Sequence, residues 1–418
     1  MEPPLTKAEP TNARHSRATT HQIHCDDARR LAVVEDASVE LVVTSPPYPM
    51  IEMWDDSFAA QDPSIADVLA QANGSTAFER MHGVLDAVWK EVARVLVEGG
   101  IVCVNIGDAT RTLGGSFTLF PNHARIVTAF LELGFTPLPV ILWRKQTNAP
   151  NKFMGSGMLP PGAYVTLEHE YVLIFRKGDK RPFPTSADKA NRQASSFFWE
   201  ERNQWFSDVW LDLKGSRQDL LDKATRNRSG AFPFELPYRL ISMFSVKGDT
   251  VLDPFLGLGT TALAAMATAR NSVGFELEPT FLAVITERVE KVVRLANARI
   301  DGRLTDHAKF VRQRHQTKGK FKHCNKHYGF PVVTRQEIGL LLNSLLDVRV
   351  AGEPDSGTTF QVDYSNEPQA EHSAAWEHFL TDGPTTLTVE SATSGPTTRE
   401  LSPVQLDLFT PPQASDNS

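Results

Sequence analysis

The chain has 418 residues, 41% of them hydrophobic and 22% charged, which suffices for at least one large core and excludes a fibrous or wholly disordered protein. A formal net charge of -7, from 43 Lys and Arg against 50 Asp and Glu, argues on its face against a nucleic-acid partner. No apolar run approaches the roughly 20 residues of a membrane helix, and the first twenty residues lack the apolar centre of a signal peptide. With only three scattered cysteines, we expect a soluble, cytoplasmic protein that makes no contact with a membrane.

In chain order, the pattern predicts strands that alternate with helices. Residues 1–20 are rich in Pro, Thr and charge and are expected to form a flexible N-terminus. Apolar runs predict strands at residues 39–44, 101–106, 139–143, 171–175, 250–253 and 272–276. Amphipathic periodicity predicts helices at residues 78–97, 124–133, 237–244, 260–269, 280–298 and 334–346. This alternation indicates an α/β fold with a parallel sheet covered by helices on both faces.

A glycine-rich segment, TVLDPFLGLGTT at residues 250–261, joins a predicted strand to a helix. Gly257 and Gly259 allow a ligand to lie against the backbone, and the helix that begins at Thr260 offers free N–H groups. Glu276 ends the next strand, about 20 residues after the glycines, which is the spacing of an acid that binds a ribose. The pattern suits a nucleoside-containing cofactor, a dinucleotide included. The alternative is a tight turn with an acidic cap.

A second motif, TSPPY at residues 44–48, follows another predicted strand. Pro46 and Pro47 have no N–H, so Ser45 and the Pro46 carbonyl offer acceptors for both hydrogens of an exocyclic amine. Tyr48 supplies a ring on which a flipped base can stack. The alternative is a strand that ends in a proline turn with a core tyrosine.

Together, TSPPY, DPFLGLGTT and FELEP resemble the S-adenosylmethionine-dependent DNA methyltransferases that modify exocyclic amino groups. The resemblance covers about residues 23–298, and it includes RVLVEGGIVCVNIGD, LEHEYVLIFRKG and FPFELPYRLI. The catalytic motif precedes the cofactor motif, which resembles the circularly permuted beta-type order. The resemblance implies a Rossmann-like sheet, direct transfer of the sulfonium methyl to the amine and no metal.

Carried over residue by residue, the resemblance assigns the target base to Ser45, Pro46, Pro47 and Tyr48. It assigns S-adenosyl-L-methionine to two groups of residues. The methionine side would be held by Phe232, Asp253, Phe255, Gly257, Gly259 and Thr260. The ribose and the adenine would be held by Glu276 and Asp27, although Cys25-Asp26 stands where relatives carry a glycine before that acid.

In this family, Ser before the two prolines is commoner in enzymes acting on cytosine N4, and PMIEMWDDSF resembles a branch that acts on four-base palindromes such as CTAG. We therefore expect a cytosine-N4 methyltransferase of double-stranded DNA that protects the host from a cognate restriction endonuclease. The alternatives are an adenine-N6 DNA methyltransferase, an RNA or small-molecule methyltransferase, and a non-catalytic DNA-binding protein.

The resemblance divides the chain into six segments. Residues 21–175 would form the catalytic half and residues 229–300 the cofactor-binding half of one methyltransferase domain. Between them, residues 176–228 carry 12 Lys or Arg against 8 Asp or Glu, and we expect a target-recognition insert there. Asn191, Gln193, Asn203 and Gln204 of this insert are candidates to read adenine, and a small local aromatic core is the alternative.

The segments on either side of this domain are predicted to be less ordered or accessory. They are residues 1–20, a basic extension at 301–350 and an acidic, disordered tail at 351–418. In the basic extension we expect HCNKH to belong to a phosphate-binding patch rather than to a zinc site. Since the tail has 11 acids and one base, a chain that ends near Val350 is expected to bind DNA at least as tightly as the full chain. QLDLF resembles the pentapeptide with which bacterial proteins dock on the replication sliding clamp; its residues are Gln405, Leu406, Asp407, Leu408 and Phe409.

Overall fold

The computed structural model describes residues 17–145, 154–213, 232–352 and 357–369, together with residues 372, 376, 379 and 380. Its strands are β1 (Arg17–His24), β2 (Val39–Thr44), β3 (Leu96–Ile106), β4 (Ala109–Leu113), β5 (Ser116–Phe120), β6 (Thr136–Arg144), β7 (Met154–Gly155), β8 (Ala163–Tyr164), β9 (His169–Arg176), β10 (Val209–Trp210), β11 (Thr250–Asp253), β12 (Asn271–Phe275), β13 (His323–Cys324), β14 (Pro331–Val332), β15 (Leu345–Gly352) and β16 (Gly357–Tyr364). The α-helices of the described ranges are α1 (Asp55–Gln61), α2 (Ser64–Ala70), α3 (Gly74–Val95), α4 (Asn122–Glu132), α5 (Ser186–Ala194), α6 (Trp199–Trp205), α7 (Glu235–Phe244), α8 (Thr260–Ala267), α9 (Thr280–Glu290) and α10 (Val292–Lys318).

Ten strands form one sheet in the order β10-β6-β9-β3-β2-β11-β12-β1-β16-β15. The five central strands, from β3 to β1, are parallel. The prediction of a parallel sheet is wrong at both sides, because β9 runs antiparallel to β3 and β6, and β16 runs antiparallel to β1 and β15. The fold is therefore α/β with a large mixed sheet.

Helices cover both faces of this sheet, as predicted. Strand β2 shows why: Val39 and Val42 pack into a core with α3 and α4, while Leu41 and Val43 pack into a second core with α7 and α8. A strand that is apolar on both sides suits a central parallel position. A third, smaller core joins α10 to β14 and to Phe198.

Several predicted boundaries are wrong because long-range pairing orders segments of weak local pattern. Strand β1 begins at Arg17, inside the predicted flexible N-terminus, and pairs with β12 and β16. The helix predicted at 280–298 is two helices, and the second continues to Lys318 through about the first third of the predicted basic extension. The helix predicted at 334–346 is a single 3-10 turn at Arg335–Glu337 followed by β15.

The start of the predicted disordered tail is also part of the sheet. Strand β16 pairs with β1 over eight residues, from Gly357 opposite His24 to Tyr364 opposite Arg17. Phe360, Val362 and Tyr364 of β16 are buried, so this strand completes a hydrophobic core. The QLDLF segment at residues 405–409 lies outside the described residues.

In the part of the chain that the structure describes, no helix combines the length and the apolar composition that crossing a membrane requires.

Candidate active site

Three neighbouring strands bring the two sequence motifs to one edge of the sheet. The proline turn follows β2, the glycine-rich turn follows β11, and Glu276 follows β12. From β2 the chain continues to β3 on one side, whereas from β11 it continues to β12 on the other. Ligands of open α/β sheets bind at the carboxyl ends of the strands where the strand order diverges in this way.

A buried carboxylate joins the two motifs. Asp253, 2% exposed, accepts hydrogen bonds from the hydroxyls of Thr44 and Thr261, each at 2.6 Å, and from the Phe255 N–H at 3.1 Å. Burial raises the pKa of Asp253 to about 6, against which these three donors act. Since both oxygens are engaged inside the protein, the side chain of Asp253 fixes the two turns to each other.

The glycines of the second motif differ in what surrounds them. Both have positive φ, 54° at Gly257 and 74° at Gly259. A Cβ at Gly259 would meet the side chain of Ile285 at 3.0 Å, whereas a Cβ at Gly257 would meet no atom within 4 Å. The backbone at Gly257 therefore borders open space. Thr260 faces inward instead, and its Oγ1 accepts a hydrogen bond from Arg288 at 3.2 Å.

Glu276 lies beside that open space. Its Oε2 accepts a hydrogen bond from the Gly257 N–H at 2.7 Å, and its Oε1 accepts one from the Glu278 N–H at 2.9 Å. Burial raises the pKa of Glu276 to about 7, and these backbone donors act in the opposite direction. A carboxylate has about four acceptor positions, so Glu276 keeps acceptor capacity for a ligand such as the hydroxyls of a ribose.

The proline turn is held by a polar network. Ser45 Oγ donates to the Tyr48 hydroxyl at 3.2 Å, and that hydroxyl donates to Glu170 Oε2 at 2.9 Å. Asn105 Nδ2 donates to both the Tyr48 hydroxyl, at 2.9 Å, and Glu170 Oε2, at 2.7 Å. The ammonium of Lys145 lies 2.7 Å from Glu170 Oε1. These contacts fix the orientation of the Tyr48 ring.

Asn122, which is fully buried, binds Pro49, the residue that follows the proline turn. Its Nδ2 donates to the carbonyls of Pro49, at 3.1 Å, and Gly107, at 3.0 Å, and its Oδ1 lies 3.0 Å from His82 Nε2. Gly107 also leaves room for the proline turn, because a Cβ there would lie 3.0 Å from the Tyr48 ring.

The remaining predicted cofactor residues are Phe232, Phe255 and Asp27. Phe232 and Phe255 pack against the hydrophobic cores, whereas Asp27 lies at the carboxyl edge of the sheet. Phe232 is buried just before α7, and Phe255 packs edge-on against Trp89 with ring centroids 5.9 Å apart. Asp27 follows β1, next to β12, and its carboxylate is bound by the guanidinium of Arg29 at 2.6 Å. That ion pair lowers the pKa of Asp27.

The described part of the predicted recognition insert divides into two. Residues 181–195 contact the opposite edge of the sheet: Arg181 pairs with Asp249 at 2.7 Å, and Asn191 donates to the Lys247 carbonyl at 2.8 Å, both just before β11. Gln193 and Gln204 also bond within the protein, to the Arg335 carbonyl and to Asp212. Asn191 and Gln193 thus lie at the edge opposite the two motifs, which argues against the adenine-reading role predicted for them. For Asn203 and Gln204, both exposed, that role stays a prediction.

The buried aromatic residues of the insert do not form the small local core of the alternative interpretation, because Trp205 and Trp210 pack into the core of the main sheet and Phe198 packs into the third core. Phe198, Trp205 and Trp210 are each no more than 1% exposed, and Arg303 pairs with Glu201 beneath them at 2.5 Å. Strand β10 then pairs with the end of β6 and returns the chain to the edge that carries the site.

Sequence reasoning assigned no role to Glu170, Asn105 or Thr261. The sequence did contain a signal, which is a polar residue at one end of an apolar strand. Asn105 lies near the carboxyl end of β3, in IVCVNI, and Glu170 lies near the start of β9, which is antiparallel to β3. Only the antiparallel pairing of β3 with β9 brings those two residues together. Among the described residues, no group of three or more His, Cys, Asp or Glu side chains is placed to hold a metal ion.

Two known proteins resemble this chain over most of their own length. At 50% identity over 320 residues, it is similar to the type II methyltransferase M.MthZI of Methanothermobacter thermautotrophicus, with 76% of this chain and 89% of that protein covered. It is 49% identical over 282 residues to the type II methyltransferase M.MjaI of Methanocaldococcus jannaschii, covering 65% of this chain and 91% of that protein.

A solved structure shares the architecture. The putative DNA modification methylase TTHA0409 of Thermus thermophilus, in complex with S-adenosyl-L-methionine, matches with a TM-score of 0.51 and 35% identity, over 65% of this chain and 95% of that one. The DNA methylase family itself matches residues 39–287, a range that contains the proline turn, Asp253 and Glu276. The chain therefore belongs to the DNA methylase family.

Proposed function

We propose that this chain transfers a methyl group from S-adenosyl-L-methionine to the exocyclic N4 of cytosine in a short double-stranded DNA site. The observation that carries the proposal is the bonding of Thr44 and Thr261 to Asp253, which holds the proline turn against the glycine-rich turn. One turn presents acceptors for an amine and the other borders open space for a nucleoside. Because transfer of a group between two bound substrates requires that the substrates be held in a defined geometry, the two turns must keep a fixed separation.

The residues present fit S-adenosyl-L-methionine. Gly257 leaves open space where any side chain would project, and Glu276 keeps acceptor positions beside it. Asp27, Phe232, Phe255, Gly259 and Thr260 complete the proposed site, with Gly259 and Thr260 acting through the shape of the turn rather than by contact. When bound, S-adenosyl-L-methionine supplies a methyl group already activated on a sulfonium.

The target amine would meet Ser45 and the Pro46 carbonyl. Because Ser45 gives its own proton to Tyr48, its oxygen lone pairs remain free to accept a hydrogen from the amine. Pro46 and Pro47 add no competing N–H donor. Tyr48, held by Glu170 and Asn105, offers the face of its ring to a base that has left the duplex.

Two of the relatives, M.MthZI and M.MjaI, are type II methyltransferases, and we extend that class to this chain. It would modify a four-base palindrome and protect host DNA from a cognate endonuclease. Docking on the replication sliding clamp through residues 405–409 stays a prediction from the sequence.

Incubation of the purified chain with labelled S-adenosyl-L-methionine and genomic DNA that lacks modification tests this function. We expect label in DNA and, after hydrolysis to nucleosides, label in N4-methylcytosine. Label in N6-methyladenine would show that the target base is adenine instead of cytosine, and the chain would still be a DNA methyltransferase. Absence of label from every DNA tested would refute the function.

A further inference from the structure

A chain of three hydrogen-bonding groups leads away from the position of the target amine. Ser45 Oγ donates to Tyr48 Oη, and Tyr48 Oη donates to Glu170 Oε2. The direction is the same at each step, from a partly exposed hydroxyl to a carboxylate of which 8% is exposed. Such an aligned chain can move a proton over its whole length by short transfers between neighbouring atoms.

The proposed reaction creates a need for such a path. An amine nitrogen with two hydrogens that forms a bond to a methyl group carries one proton more than the neutral product. Neither Ser45, a neutral hydroxyl, nor the Pro46 carbonyl can retain that proton. The carboxylate of Asp253 is enclosed by its own three donors.

We propose that Glu170 is the acceptor of this proton, which reaches it through Ser45 and Tyr48; the inference rests on the proposed function. The N–H bond breaks and the proton passes to Ser45 Oγ while Ser45 releases its own proton to Tyr48 Oη. The phenolic proton of Tyr48 passes to Glu170 Oε2. Both hydroxyls end with one proton each, the base is neutral, and the carboxyl holds the proton until water removes it.

The surroundings of Tyr48 suit a relay rather than an ionised phenol. Burial and the neighbouring Glu170 carboxylate raise the pKa of Tyr48 well above its ordinary value, so the hydroxyl keeps a proton while it passes one on. Asn105 Nδ2 holds both Tyr48 Oη and Glu170 Oε2 in place, at 2.9 and 2.7 Å.

The other oxygen of Glu170 provides the exit. Lys145 Nζ lies 2.7 Å from Oε1, and the Lys145 side chain is 46% exposed. The ammonium balances the charge of the carboxylate, and the solvent around it can take up the proton after each turnover. Glu170 therefore acts through Tyr48 and needs no contact with the base.

Single-turnover methyl transfer separates this relay from a purely structural role. Tyr48→Phe removes the relay hydroxyl and keeps the ring, Glu170→Gln keeps an acceptor oxygen and removes the basic site, and Glu168→Gln is the matched control. Glu168 is two residues away and pairs with Arg144 on the surface. Base flipping is followed with 2-aminopurine fluorescence, and the affinities for S-adenosyl-L-methionine and DNA are measured alongside.

We expect Tyr48→Phe and Glu170→Gln each to lower the single-turnover rate at least tenfold. Because both act in one relay, the double variant should be no slower than the slower single variant. Base flipping and the affinities for S-adenosyl-L-methionine and DNA should stay within about twofold of the wild type. Glu168→Gln should match the wild type. In Glu170→Ala, sodium formate but not sodium chloride should restore part of the rate.

Three outcomes would overturn the relay: a Glu170→Gln rate within threefold of wild type, a loss of flipping as large as the loss of rate, or formate without effect on a folded Glu170→Ala. If the wild type labels no DNA, the proposed function fails and the relay with it. A wild type that labels DNA normally alongside an equally active Glu170→Gln rejects the relay alone.

Discussion

Asp253 shows how a single side chain can organise a site without touching a substrate. Its carboxylate receives three hydrogen bonds from two loops that are about 200 residues apart in sequence. Removing it would leave two hydroxyls and one N–H without a partner in the core, at about 1–3 kcal/mol for each group.

Asp253→Ala should therefore lower the free energy of unfolding by several kcal/mol and abolish methyl transfer, because the proline turn loses its anchor. Asp253→Asn keeps an acceptor for Thr44 and Phe255 and should cost much less. Urea unfolding followed by circular dichroism gives both values. Equal losses in the two variants would show that the hydrogen bonds of Asp253 are not what stabilises the turn.

The raised pKa of Asp253 adds a pH dependence of defined sign. Because the folded-state pKa, about 6, lies above the unfolded value of 3.8, the ionised form is disfavoured by folding. The free energy of unfolding of the wild type should therefore rise, relative to Asp253→Asn, as the pH falls from 8 towards 5. Parallel pH profiles for the two proteins would contradict this.

Glu276 should make cofactor binding depend on pH. Its pKa is raised to about 7 by burial, and protonation would replace an acceptor of ribose hydroxyls by a donor. Affinity for S-adenosyl-L-methionine should fall up to about tenfold per pH unit below 7. Calorimetric titrations between pH 5.5 and 8.5 would test it, and Glu276→Gln, which cannot ionise, should bind weakly with a flat profile. A wild-type profile as flat as that of the variant would exclude this role.

Among the elements, two hairpins distinguish the carboxyl edge of the sheet. The hairpin of β4 and β5 follows β3, and that of β7 and β8 lies between β6 and β9. Phe117 and Tyr164 stack between them, with ring centroids 4.7 Å apart and planes 6° from parallel. Between β7 and β8 and directly after β8, several apolar side chains are exposed, including Met158 at 83%, Leu159 at 71% and Val165 at 85%. Clustered apolar exposure of this kind marks an interaction surface.

Replacing Leu159 and Val165 by Ala should weaken DNA binding or base flipping several-fold, since apolar side chains that enter a duplex help to unstack it. Stability and cofactor affinity should not change, because both side chains are exposed. Electrophoretic mobility shifts and 2-aminopurine fluorescence provide the readouts. Leu346→Ala, 58% exposed at the opposite edge of the sheet, is the matched control. Equal behaviour of the control and the double variant would exclude a DNA contact here.

For the whole molecule, the acidic residues at the C-terminal end are not confined to a disordered tail. Two of the 11 acids after residue 350, Asp363 and Glu367, lie in the described part of the chain. Asp363 belongs to β16 and pairs with Arg349 across β15 and β16. All residues that the structure describes precede residue 382, and residues 382–418 carry five acids and one base.

A chain ending at residue 381 should therefore unfold like the full chain and bind DNA at least as tightly. A chain ending at Val350 should instead lose several kcal/mol, since burying Phe360, Val362 and Tyr364 contributes about 1.5–3 kcal/mol per side chain. Thermal unfolding and DNA titrations of the two truncations test this. Equal melting temperatures would show that β16 is dispensable, contrary to the sheet pairing.

The sequence by itself determined the family, the α/β class and most central elements, because these depend on local patterns. The strand at Val39–Thr44 and that at Thr250–Asp253 have the predicted bounds. The two motifs could also be recognised from the sequence, since prolines and glycines have the same effect on the backbone wherever they occur.

Only the tertiary structure decided what depends on pairing between distant residues. It turned the parallel sheet into a mixed one, added β1 and β16 from segments expected to be disordered, and placed residues 181–195 at the edge opposite the site. It also brought Glu170 from an antiparallel strand to Tyr48. No local pattern encodes such contacts, because hydrogen bonds and packing between strands depend on register and on neighbours far away in the chain.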